Sequence, residues 1–110
     1  MKELKTADEW NDVLEQSKKE PLLVLKHSTT CPISAAAFKE FDSLTTDVPK
    51  HYLKVRESRS VSNEIESDLQ IAHESPQLFL LKDGKAVWQA THYSISQSQI
   101  EKAVEEHGNK

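Results

Sequence analysis

Leu22-Leu23-Val24-Leu25-Lys26-His27-Ser28-Thr29-Thr30-Cys31-Pro32-Ile33-Ser34 reads as a strand, a short polar loop and the first turn of a helix. The unbroken apolar run at 22–25 marks a strand covered on both faces. Pro32 marks the helix start, because its fixed φ suits that position and its missing N–H would have gone unpaired there. Cys31 therefore lands at a strand-to-helix junction. Unpaired N–H groups and the positive end of the helix dipole favour a thiolate over a thiol at such a place. The thiolate is the form that attacks a disulfide sulfur. Ser34, one turn on, can donate its hydroxyl to that sulfur. A lone cysteine is commonly just a small buried hydrophobe; its place before a proline at a helix start argues here for chemistry.

Working outward, Thr6-Ala7-Asp8-Glu9 has the spacing of a capping box, and Trp10, Val13, Leu14 and Ser17 share a helical face until Pro21 ends it. Beyond Pro32, the buried stripe is Ile33, Ala37, Phe41 and Leu44. Residues 52–57 alternate as a second strand, and 60–72 predict a helix with Val61, Ile65 and Leu69 four apart. Residues 77–82, after Pro76, predict a third strand. Asp83-Gly84 predicts a two-residue hairpin with positive φ at both positions, returning along 86–91. A last helix starts near Ser96, where Gln99 completes a second capping box; its stripe is Ile100, Ala103, Val104 and His107. The order α-β-α-β-α-β-β-α predicts an α/β chain, one domain over 1–110, whose four-stranded mixed sheet is flanked by helices.

Composition narrows the function. Fourteen basic against 18 acidic residues give a net charge of −4, with no concentrated basic face for a phosphate backbone, so no nucleic-acid partner is expected. The longest apolar runs, 22–25 and 78–81, are far too short to span a bilayer. The opening Met1-Lys2-Glu3-Leu4-Lys5 lacks a signal-peptide core, so a cytoplasmic location without membrane attachment is expected. A single cysteine rules out an internal disulfide and a four-cysteine metal site within one chain. Ala37 stands where a C-x5-R phosphatase needs its arginine.

Cys31-Pro32-Ile33-Ser34 resembles the C-P-x-C active site of thioredoxins and glutaredoxins, with serine in place of the second cysteine. Ser75-Pro76, the strand after it and Asp83-Gly84-Lys85 resemble the cis-proline loop and final hairpin of the thioredoxin-like fold. More narrowly, the segment from His27 to Ser34 resembles the monothiol bacilliredoxins, as do His73-Glu74-Ser75-Pro76-Gln77, Leu81-Lys82-Asp83-Gly84-Lys85 and Thr91-His92-Tyr93. Those are small thioredoxin-fold proteins acting on bacillithiol mixed disulfides. Thr30 departs from the tryptophan of thioredoxins, and Ser34 from their resolving cysteine.

The resemblance implies a monothiol thiol–disulfide oxidoreductase. Cys31 attacks the bacillithiol sulfur of a client's mixed disulfide and is transiently bacillithiolated. Bacillithiol itself, or a reductase, then releases it. Bacillithiol is cosubstrate, and no bound metal or redox cofactor is implied. Ser34 is implied to steady the thiolate, with Pro32 shaping the turn. Thr30, Ser75, Pro76, His27 and His73 are the implied substrate contacts, Ser75 through backbone groups left free beside a cis Pro76. Either histidine as imidazolium could meet the thiolate or the carboxylates of bacillithiol. Lys26, Lys39 and His92 are further candidates for an anionic ligand. The expected state is a monomer or weak dimer. A non-catalytic binding or redox-sensor module using Cys31 as a regulatory thiol is the alternative.

Overall fold

In the computed structural model, which describes residues 1–108, the run at 22–27 is the central strand of a five-stranded sheet. Strand β1 (Lys2–Glu3) leads to helix α1 (Ala7–Gln16), β2 (Leu22–His27), α2 (Pro32–Ser43), β3 (Lys50–Lys54) and α3 (Arg59–Leu69). The hairpin β4 (Gln77–Lys82) and β5 (Lys85–Thr91) follows. A 3-10 turn (His92–Ser94) then leads to α4 (Gln97–Ala103), and a π-helical turn (Val104–Gly108) continues it. The sheet order is β1-β3-β2-β4-β5. β1, β3 and β2 run parallel, whereas β4 is antiparallel to both β2 and β5.

The sheet thus has one strand more than the four expected. Lys2 and Glu3 pair with His51 and Tyr52, a contact made only once β3 is in place. Two polar residues carry no periodicity by which to be recognised. The helix at 60–72 also stops earlier, because Gln70 turns into the left-handed region at φ 55. The strand at 52–57 is shifted to 50–54, where parallel pairing with Leu23 to His27 sets its ends.

Alternation along β2 sorts the core. Leu23 and Leu25 pack with Phe41, Ile100 and Ala103 on the α2/α4 side, and Leu22 and Val24 pack with Trp10, Val61 and Ile65 on the α1/α3 side. The next residues keep the alternation, so Lys26 points into the α3 side and His27 toward α2. Trp10 ties α1 to α3 by donating from Nε1 to Asp68 at 2.8 Å. The Thr6–Glu9 capping box closes reciprocally: Glu9 N–H donates to Thr6 Oγ1 and Thr6 N–H to Glu9 Oε1, each at 3.1 Å. At the hairpin, Asp83 and Gly84 take φ of 57° and 76°. Among the described residues no helix is long and apolar enough to cross a membrane.

Candidate active site

Cys31 is the N-cap of α2, with extended backbone at φ −107 and ψ 122, and Pro32 takes the first helical position. Cys31 C=O accepts from Ala35 N–H at 2.9 Å, and Cys31 N–H donates to Ser28 C=O at 3.4 Å. The side chain is half-buried and caps nothing. The N–H groups of Ile33 and Ser34, orphans of the first turn, thus have no acceptor among the described residues. They lie in the same turn as the sulfur, where negative charge on it would meet them. Ile33 is only half-buried at this end, whereas Ala37, Phe41 and Leu44 are covered.

Ser34 behaves differently from expectation. Its side chain is fully buried, and its Oγ accepts from Ser28 N–H at 2.8 Å and pairs with His27 Nδ1 at 2.8 Å. No hydrogen bond joins it to Cys31 Sγ among the described residues. A loop N–H turned inward must be paired, and Ser34 is what pairs it. Its hold on Cys31 therefore runs through the shape of the loop. Ser34→Ala is expected to cost about 1–3 kcal/mol by orphaning Ser28 N–H and His27 Nδ1, and to slow attack by Cys31 without abolishing it. Urea unfolding and the rate of Cys31 alkylation check both; unchanged stability would contradict the assignment.

His27 is half-buried and packs against Phe38, ring centroids 4.6 Å apart. Burial, helped by Lys54, holds its imidazole below the usual range. His73 is also pushed down, first by desolvation and then by Lys26. Desolvation thus works against the positive charge that either histidine could bring. The cations come from elsewhere. Lys26 is 0% exposed, its Nζ 3.2 Å from His73 Nδ1 and 5.9 Å from the centroid of Phe79. Burial pushes its ammonium down to about 8, opposed by Glu66, which leaves it mostly charged at pH 7. An ammonium only donates, so His73 Nδ1 is the acceptor and its proton sits on Nε2. His73 Nδ1 also lies 3.4 Å from Ser62 Oγ, and its backbone N–H donates to Glu66 Oε2 at 2.8 Å.

The second half of the site is the turn into β4. Ser75–Pro76 is cis, Pro76 is buried, and Pro76 C=O accepts from His92 N–H at 3.1 Å. Among the described residues the backbone of Ser75 makes no hydrogen bond, and its buried Oγ has no partner. Ser75 and Ser28 line one cavity of about 450 Å³, together with His73, Ser62, Arg56 and Arg59. Thr30 is exposed and accepts from Arg56 Nη1 at a long 3.5 Å. Cys31, Thr30, Ser75 and His73 are thus grouped around one end of the sheet. Lys39 is exposed on α2, and His92 faces Glu74 at 3.9 Å; neither lines this cavity. Arg56 and Arg59 were not singled out from the sequence, because only the folded crossover from β3 to α3 sets them beside Ser28 and Ser75.

The family model described as "Monothiol bacilliredoxin BrxC" matches residues 2–100. The chain belongs to the monothiol bacilliredoxin family. Among solved structures, the chain is similar to one described as an oxidoreductase with a thioredoxin fold. It has 37% identity and a TM-score of 0.84, covering 92% of this chain and 90% of that one. Thioredoxins from Fasciola hepatica (15% identity, TM-score 0.78, covering 97% and 99%) and Schistosoma mansoni (19%, 0.77, 96% and 93%) share the fold. The thioredoxin fold and membership of an oxidoreductase family point to thiol redox chemistry, and the bacilliredoxin motif holds one cysteine where thioredoxins hold two.

Proposed function

We propose that the chain removes bacillithiol from mixed disulfides on client proteins in the cytoplasm. The observation that carries this reading is Cys31 as an uncapped, half-buried N-cap thiol with buried Ser34 in the place of a resolving cysteine, in a chain of this family. Cys31 thiolate attacks the bacillithiol sulfur; the client–bacillithiol S–S bond breaks, and the client leaves as a thiolate that takes a proton from water. Cys31 is now bonded to bacillithiol. A second bacillithiol thiolate attacks that bacillithiol sulfur, releasing bacillithiol disulfide and regenerating Cys31, or a reductase supplies the two electrons. On the first route the client thiol is restored, one free bacillithiol is oxidised as it joins the transferred one in the disulfide, and Cys31 returns unchanged. The free backbone groups of Ser75 suit pairing with an extended client segment beside the sulfur.

Turnover is the test. A bacillithiolated client is mixed with a hundredth of an equivalent of the protein and free bacillithiol. Many equivalents of client thiol per Cys31 are expected. Release limited to one equivalent would favour a regulatory thiol that senses and does not recycle.

A further inference from the structure

The cavity of about 450 Å³ beside the site lies between Ser28 at the end of β2, the first turns of α3 and the segment 73–75. Cys31 itself does not line it, but Ser28, whose C=O receives Cys31 N–H, and Ser75, which precedes the cis proline, both do. Its size is at the lower end of small-molecule pockets, about 300–1,000 Å³. Its charges are unbalanced. Arg56 and Arg59 both line it, against one carboxylate among the described lining residues, Glu66. Glu66 is engaged by His73 N–H and serves buried Lys26 behind the wall. Among the described residues neither guanidinium has an ion-pair partner: Arg59 makes no hydrogen bond, and Arg56 makes only the long one to Thr30. This cluster of positive charge stands on a chain of net charge −4. Ser75 Oγ, buried and without a partner, is a further idle donor in the same wall. Two guanidiniums without ion-pair partners around an open cavity fit a ligand rich in acceptors, and the planar guanidinium fork matches a carboxylate.

We propose that this cavity holds the carboxylate-bearing end of the low-molecular-weight thiol while its sulfur is exchanged at Cys31, with Arg56 and Arg59 gripping the carboxylates. The inference rests on the thiol-exchange reading above and adds which residues select the thiol. It treats Arg56 and Arg59 as specificity residues remote from the sulfur, whose loss falls on KM more than on kcat.

The test uses one client carrying either bacillithiol or cysteamine, a thiol without a carboxylate, so that any acidic group of the client is common to both arms. The ratio of kcat/KM for the two disulfides is compared between the wild type and the Arg56→Ala/Arg59→Ala double variant. A fall in that ratio of about 10- to 100-fold is expected, from two lost charge-assisted contacts, with partial recovery in Arg56→Lys/Arg59→Lys. An unchanged ratio overturns the subsite while leaving thiol exchange intact. A wild type that turns over neither disulfide overturns the exchange reading instead. The cavity is then read alone by titration with S-methyl bacillithiol, which cannot exchange. Amide shifts in residues 56–63 and 73–75 that vanish in the double variant support the subsite, and their absence from the wild type overturns it.

Discussion

Cys31→Ser is expected to return client release to its uncatalysed rate, a fall on the order of a thousandfold or more. The chain holds one cysteine, so no second thiol can take over. The group that replaces a resolving cysteine is a hydroxyl closed off by Ser28 N–H and His27. A serine hydroxyl at neutral pH is not ionised and does not attack a disulfide at a useful rate without a base. The same substitution is expected to leave the fold as stable or more so. Cys31 is an N-cap without a side-chain hydrogen bond, whereas serine is among the preferred caps and can accept from the N–H of Ile33 or Ser34, worth about 0.5–1 kcal/mol. Loss of activity with retained or raised thermal stability separates chemistry from folding. Turnover above background in Cys31→Ser would remove Cys31 from its role.

Local chemistry carried most of the fold into the sequence. The Thr6–Glu9 box, the Asp83-Gly84 turn, Pro32 at the helix start and Ser96 accepting from Gln99 N–H at 3.3 Å are all written in a few adjacent residues. So was the position of Cys31. What depends on distant partners was not legible. Strand β1 exists through its pairing with β3, and Gln70 ends α3 in a left-handed turn without a glycine or proline to announce it. At the site, Ser34 three residues past Cys31 invited a direct hydrogen bond. The competing demand of Ser28 N–H is visible only once the loop closes on itself. Arg56 and Arg59 gain their meaning from the crossover that sets the start of α3 against Ser28 and Ser75.

Lys26→Met is expected to stabilise the protein at pH 7 by about 1–3 kcal/mol, because the fold holds this ammonium at a desolvation cost that Glu66 does not offset and an apolar side chain does not carry. In a chain of this size each kcal/mol raises the melting temperature by about 4–8 °C. Lys26 sits in the central strand with no exposure, and burial outweighs the help it gets from Glu66, so its ammonium is held down to about 8 from 10.5. The sign follows from proton linkage. Between about pH 8 and 10.5 the unfolded chain keeps a proton on this lysine that the folded chain has lost, so stability from this group rises with pH across that window. Below pH 8 both states are charged and the whole penalty is present. The advantage of Lys26→Met should therefore be largest at pH 7 and shrink as pH approaches 10. Urea unfolding of both proteins at pH 7 and 9.5 measures the difference, in which other titrating groups cancel. The low value of His73 acts in the same direction but in the acid range, below its ordinary 6.5, and so does not blur the alkaline window. A destabilised variant, or an advantage independent of pH, would show that the ammonium is better compensated than its surroundings indicate. A strand that accepts such a cost needs a reason outside stability, and the cation's place behind His73, at the wall that carries Arg56 and Arg59, supplies one. The more stable variant should also be the poorer catalyst on the bacillithiolated client, by several-fold.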